Sequence, residues 1–414
     1  GRDRRTAAVL AERGEVTRPG SLVLPDRLPE VRALLGEADL DGWLLYDFRD
    51  QNPIAHQLLG LGKTTRRSFV FLPRNGAPAV VRHAIEASAW SHLSWEQRTY
   101  SGWRSLEHEL TSLLAGSPIV AMEYSPSNRI PTVDRTPGGV IELVRDCGAE
   151  VSSSADLVAA FHSRWSPEGL ELHRRAAEIV RTVAIGAFER AAARSEGGAA
   201  VTECELMRWI VDRLREAGLE EGVDCIVAGG PRSADPHYSP RGAGEPLERG
   251  SVVLIDLWGR HPGEGIFADQ TWMGVLDTHP SDRVRDVWEA VRRARDGALA
   301  LLKRRAESGR EVRGFEVDAH ARATLAERGL DRFFTHRLGH SIDHELHGSG
   351  PNLDDLETRD GRRLLPGVGF SVEPGVYLPG EFGMRSEVNV HWGAAGPVVT
   401  PGEVKDELLL MPGP

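Results

Sequence analysis

The chain is short of cysteine. Only Cys147, Cys204 and Cys225 occur in its 414 residues, too few and too far apart for a disulfide framework or a thiolate metal site, and we read each as a small buried apolar residue. It has no apolar run near the roughly 20 residues needed to cross a bilayer. Its start, GRDRRTAAVLAERGEV, carries charge without the apolar core of a signal peptide, so a cytoplasmic location and no membrane partner are expected. Basic charge is in deficit: 50 Lys+Arg stand against 61 Asp+Glu, for a formal net charge of -11. With no basic run to follow a phosphate backbone, nucleic acid is excluded as a partner. Two hydrolase signatures are missing as well. Ser341 follows His340 where an HExxH helix needs Glu, and there is no GxSxG elbow.

What is there is an ordinary globular composition, 40% hydrophobic and 27% charged, in a chain long enough for two domains. Residues 22 to 160 alternate short apolar runs, GWLLYDF, SFVFLP, PAVVR and PIVAMEY, with helical stretches such as EASAWSHLSWEQR, the pattern of an α/β domain. The tract SRWSPEGLELHRRAAEIV then opens a long amphipathic helix, with Ser166 as N-cap, Pro167 in the first helical position and Glu168 in the first turn. The boundary is expected at about 165, giving units 1–165 and 166–414. The second unit repeats itself weakly. At one offset, 312 − 201 = 111, VTECEL lies over VRGFEV, LREAGL over LAERGL, and Gly186-Ala187 over Gly297-Ala298. Two α/β halves related by a pseudo-twofold axis are expected, with a site in the cleft between them.

That unit also holds the chemistry. Apolar strand residues run up to Asp256 in SVVLIDLWG, and a second strand carries Asp269; an antiparallel pair would set the two carboxylates side by side, an arrangement that calls for cations. Taken singly, each is a turn or surface residue. Glu373 follows VGFSV and Glu387 lies in MRSEVNV, again acids among strand residues. The stretch FFTHRLGHSIDHELHG contributes His336, His340, His344 and His347. Four carboxylates with an imidazole form the donor set of a two-metal hydrolytic site, in which oxygen donors suit Mn2+ and mixed donors admit Co2+, Zn2+ or Fe2+.

In order, Asp256, Asp269, His340, Glu373 and Glu387 resemble the ligand set of the pita-bread metallopeptidases of family M24, which include methionine aminopeptidases, aminopeptidase P and prolidase. The carrying motifs are LIDLWG, ADQTW, GHSIDHELHG, SVEPGVY and RSE. The resemblance spans roughly residues 165 to 414, and the first unit resembles, more weakly, the small N-terminal domain of aminopeptidase P, prolidase and creatinase. It implies a pita-bread α/β (α+β) domain with an internal repeat, preceded by a smaller α/β domain. It also implies His340 as a metal ligand, His336 as a cleft imidazole, and His347 as a substrate contact that steadies the tetrahedral intermediate. His237 would border the substrate, while His344 has no counterpart and is expected to be scaffold. Arg385, two residues before Glu387, is expected to orient that carboxylate or bind substrate, against an ordinary salt bridge; Tyr377 lies near the site or in the core. Three features depart from the family pattern: Asp343-His344 in place of Gly-Leu, Trp258 where Gly is common, and a longer interval from Asp256 to Asp269.

By this resemblance two divalent ions hold a hydroxide that attacks the scissile carbonyl, with Glu373 shuttling the proton. The extra domain, which methionine aminopeptidases generally lack, points to hydrolysis before proline in short peptides by an Xaa-Pro dipeptidase or aminopeptidase acting as a homodimer. Creatinase-like or dimethylsulfoniopropionate-lyase chemistry, or a metal-free binding module, are the alternatives on the same fold.

Overall fold

The computed structural model describes residues 24–116, 118–220, 225–402 and 408–411; residues 1–23, which open the first expected unit and include its charged start, lie outside the described residues. From residue 24 to 161 the apolar runs form one six-stranded sheet. Its elements are α1 (Leu28–Glu37), β1 (Gly42–Asp47), α2 (Pro53–Leu59), β2 (Ser68–Pro73), β3 (Ala79–His83), β4 (Glu96–Tyr100), α3 (Trp103–Leu113), β5 (Ile119–Met122), α4 (Gly138–Asp146), β6 (Glu150–Ser153) and α5 (Ala155–Phe161). The strand order is β4-β3-β2-β1-β5-β6. β1 is buried at every position because it is central and both faces are covered: Trp43 and Leu45 join one apolar layer, Leu44 and Tyr46 the other.

The four apolar runs are strands, as read. EASAWSHLSWEQR is not a helix: residues 84–90 form a 3-10 turn and β4 already begins at Glu96. Trp90 and Leu93 are drawn into the core, and the Gln97 amide donates to their carbonyls at 2.9 and 3.3 Å. Those bonds turn the chain into the sheet before a helix can propagate.

Ser166 caps α6 (Pro167–Glu196), its hydroxyl accepting from the Gly169 N–H at 2.9 Å. There follow α7 (Glu203–Glu216), β7 (Ile226–Gly229), β8 (Val252–Gly259), β9 (Ala268–Val275), α8 (Asp282–Glu307), α9 (Gly314–Ala326), β10 (Ser341–Ile342), β11 (Gly369–Val372), β12 (Gly375–Leu378), β13 (Phe382–Arg385), β14 (Val388–Gly393), β15 (Gly396–Thr400) and β16 (Leu409–Leu410). The repeat is visible in the helices. Offset by 111 residues, the end of α6 falls on the end of α8 and the start of α7 on the start of α9. Glu205 accepts from the Thr202 N–H at 2.9 Å and Glu316 from the Arg313 N–H at 2.8 Å; the Thr202 hydroxyl accepts in return from the Glu205 N–H at 3.3 Å, whereas the guanidinium of Arg313 has no acceptor and leaves the second copy with half of that cap. Each second helix ends near a left-handed glycine, Gly218 (φ 83) and Gly329 (φ 66).

The strands group as β16-β9-β8-β7, β10-β11-β14-β15 and the hairpin β12-β13. Val253, Ile255 and Leu257 of β8 pack with α6 and α7, whereas Val252 and Leu254 join the core with α8 and α9. Period-two alternation leaves Asp256 and Trp258 on this second face.

Candidate metal centre

β8 and β9 pair antiparallel with Asp256 opposite Thr271 and Trp258 opposite Asp269. Opposite and diagonal neighbours share a face, so the two acids project to the same side. Both are buried. Glu373 comes directly after β11, and Glu387 lies in the break between β13 and β14. His340 precedes β10, with Nε2 at 3.3 Å from Asp269 Oδ2 and 3.6 Å from Glu373 Oε1. Its Nδ1 faces the Ser341 carbonyl at 3.1 Å; since a carbonyl only accepts, Nδ1 carries the proton and Nε2 turns a lone pair toward the acids. Asp269, His340 and Glu387 each bring one ligand atom within 4.8 Å of the others.

Burial, then the charges of its acid neighbours, push Asp269 and Glu387 well above the usual carboxylate range. Burial raises Glu373 as well, against the opposing influence of His340 and Arg385, and burial lowers His340. One oxygen each of Asp256, Asp269 and Glu387 is buried without a hydrogen-bond partner. Such lone pairs are costly unless something positive meets them. Hard oxygen donors with one imidazole fit divalent cations.

Arg385 takes the salt-bridge alternative, with Asp256 rather than Glu387 as its partner. Its Nη2 donates to Asp256 Oδ2 at 2.5 Å and its Nε to the Thr271 hydroxyl at 2.8 Å. It reaches Glu387 only through that hydroxyl, which donates to Glu387 Oε2 at 2.8 Å. The strand ends at Arg385, so the rule that residues two apart share a face does not extend to Glu387.

Arg385 Nη1 also donates to the Tyr377 hydroxyl at 3.3 Å, and that hydroxyl lies 2.7 Å from His336 Nε2. Burial pushes Tyr377 up to about 12 and His336 down to about 3. Arg385 thus links both to Asp256. His347 is exposed beside His340, the two ring centroids 4.3 Å apart. The surrounding walls, then His340 and Arg337, hold it below its ordinary pKa. His237 is exposed on the loop between β7 and β8; the preceding Pro236 carbonyl accepts from Arg385 at 3.4 Å. His344 turns away, its Nδ1 3.3 Å from the Gly265 carbonyl.

Sequence reasoning passed over three polar residues that fasten the acids. Thr271 holds Glu387; Ser371 donates to Glu373 Oε1 at 3.0 Å and accepts from the His340 N–H at 3.0 Å. Asn389 exchanges two hydrogen bonds, 2.8 and 2.7 Å, with the Asp269 backbone. Each lies two residues from a candidate ligand in or beside a strand, a spacing that was available as a signal.

Comparison with known proteins places this site in context. The family model described as metallopeptidase family M24 matches residues 171–392. A protein named probable dipeptidase PepE from Mycobacterium tuberculosis is 35% identical over 191 residues, 45% of this chain and 46% of that one. One named Xaa-Pro dipeptidase from Lactobacillus delbrueckii subsp. lactis is 30% identical over 175 residues, 42% and 44%. The chain thus matches about half the length of these curated relatives. The crystal structure of dipeptidase PepE from Mycobacterium ulcerans superposes with a TM-score of 0.69 at 24% identity, covering 94% of this chain and 98% of that one. The fold is the pita-bread arrangement with a smaller α/β domain ahead of it, and with the family match covering more than half of its length the chain belongs to metallopeptidase family M24.

Proposed function

We propose that this chain hydrolyses the peptide bond preceding proline in short peptides, as an Xaa-Pro dipeptidase or aminopeptidase using two divalent cations, Mn2+ foremost and Co2+, Zn2+ or Fe2+ as alternatives. The carrying observation is the set of buried, unpartnered oxygens on Asp256, Asp269 and Glu387 beside His340. Asp256, Asp269, His340, Glu373 and Glu387 would hold the cations. Bound there, the cations supply Lewis acidity and make a water nucleophile available near neutral pH.

The side chains divide the remaining work. Glu373, with its raised pKa, takes the proton from the attacking water and returns it to the leaving nitrogen. Proline nitrogen carries no N–H in the peptide, so this proton is the first it receives. His347, neutral at physiological pH, donates to the developing oxyanion. His237 and His336 border the bound peptide, and Arg385 with Tyr377 holds Asp256 in place. The relative named Xaa-Pro dipeptidase supports the proline preference. We further propose a division at about residue 165, a homodimer and a cytoplasmic location; no helix of the described residues is long and apolar enough to cross a membrane. Rates on Ala-Pro, Ala-Pro-Ala and Ala-Ala with added Mn2+ test the reading. Cleavage of one or both proline peptides is expected, and Ala-Ala turned over equally fast would remove the proline preference.

A further inference from the structure

The three departures from the family pattern form one packed unit. The loop joining β8 to β9 folds over the segment that follows His340. Arg260 Nη1 donates to the His344 carbonyl at 2.8 Å, the Phe267 N–H donates to the Asp343 carbonyl at 3.2 Å, and His344 meets Gly265 at 3.3 Å. Asp343 in turn accepts from the Glu345 and Ser349 N–H groups at 2.8 and 3.1 Å, shaping the turn that carries His347. Inside this unit Trp258 packs with Trp165, Ile266, Phe267 and Ile342.

Trp258 is the member that faces the chemistry. It lies directly opposite Asp269 in the ladder, two residues beyond Asp256 and on the same face. It is 7% exposed, and its indole N–H is buried without a partner. A large rigid ring therefore forms a wall beside the acids and leaves one donor unanswered. The attacked carbonyl must sit at those acids, and the side chain of the residue that owns it is attached one carbon away.

We infer that Trp258 determines specificity by restricting the residue before the scissile bond to small side chains; this rests on the proposed peptidase reading. The test uses Ala-Pro and Phe-Pro with the Mn2+-loaded full chain, comparing wild type, Trp258→Gly and Trp258→Phe by kcat/KM, by calorimetric binding and by metal content. Wild type is expected to favour Ala-Pro. Trp258→Gly should raise Phe-Pro relative to Ala-Pro by about tenfold or more, the scale on which pocket volume discriminates, with metal content unchanged. Trp258→Phe keeps most of the bulk and should retain the preference for Ala-Pro. If Trp258→Gly does not fold, Trp258→Leu takes its place. Peptides that bind without being hydrolysed by wild type would overturn the activity reading and leave the wall to be judged from binding ratios. A Phe-Pro to Ala-Pro ratio unmoved in the small variant, or no binding of either peptide to wild type, would overturn the assignment of Trp258.

Discussion

Among the described residues two places gather side chains that could hold a cation, and they differ in what their oxygens already do. Asp47, Asp50 and His56 in the first unit approach one another as closely as Asp269, His340 and Glu387 in the second. In the first, Asp47 accepts from the Asn52 N–H at 2.9 Å, the Asp50 N–H at 3.2 Å and the Thr64 hydroxyl at 2.9 Å, and it faces His56 Nε2 at 3.1 Å. Asp50 Oδ1 accepts from the Thr64 N–H at 2.7 Å. In the second, one oxygen each of Asp269 and Glu387 has no partner. The pKa directions are opposite. Burial pushes Asp47 up, but its bonds from His56, Asn52 and Thr64 outweigh it and hold the group low, while the same pairing raises His56. At the second cluster the acids go up and the histidine down. Donor type and proximity alone therefore do not separate the two clusters; the unanswered buried oxygens of the second do.

The contrast breaks most visibly on metal removal. Exhaustive chelation is expected to abolish hydrolysis and Mn2+ or Co2+ to restore it. His340→Ala should lose metal and activity together, by more than the roughly 10–100-fold in affinity that loss of an outer partner costs. Asp47→Ala should leave metal content unchanged by elemental analysis. Full activity in a metal-free preparation, or metal lost equally from both variants, would remove the distinction.

A smaller effect separates roles within the histidine group. His347→Ala should lower kcat by about 10²-fold, the scale of one missing oxyanion donor, with metal content intact. Normal turnover in that variant would make His347 a packing residue.

Two threonines offer a matched comparison. Thr64 bridges Asp47 and Asp50, and Thr271 bridges Arg385 and Glu387. Thr271→Val is expected to weaken metal binding by about 10-fold or more, because the hydroxyl orients a ligand. Thr64→Val should cost about 1–2 kcal/mol of stability and no metal. Equal metal retention in both would mean that Thr271 supports the fold alone.

Much of this was legible in the sequence because it is periodic or local. The cap at Ser166, the strand runs and the 111-residue offset depend on neighbours along the chain, and the structure bears out each of them. Asp256 and Asp269 were placed side by side by strand alternation alone. The partner of Arg385 was not legible, since the interruption after it is a tertiary feature that no local pattern records. Nor was the end of the expected helix at Trp90, where two core anchors and Gln97 override a helical composition. The saturation of Asp47 was hidden too, because Thr64 and Asn52 reach it across a loop. Trp258 could be noticed as unusual, but its unpartnered N–H could not.

The smallest effect concerns His56, and it tests whether the first cluster is neutralised by its own charges. His56 faces Asp47 and Asp50 at 3.1 and 3.4 Å. Its folded pKa lies above the ordinary value of 6.5, so its contribution to stability is fully present below 6.5 and is lost as pH rises through the folded value. Asp47 is held below its ordinary 3.8, so its contribution is present above 3.8 and is lost as pH falls through the folded value. The pair is therefore intact between those two limits. His56→Gln should cost about 1 kcal/mol within that window and less at alkaline pH, where wild-type His56 has already lost its charge. An NMR titration gives the direct reading: the His56 pKa should lie above 6.5 in the wild type and fall back in Asp47→Asn. A stability deficit independent of pH, or a His56 pKa that ignores Asp47, would show that hydrogen bonds alone hold the cluster and that its charges contribute nothing.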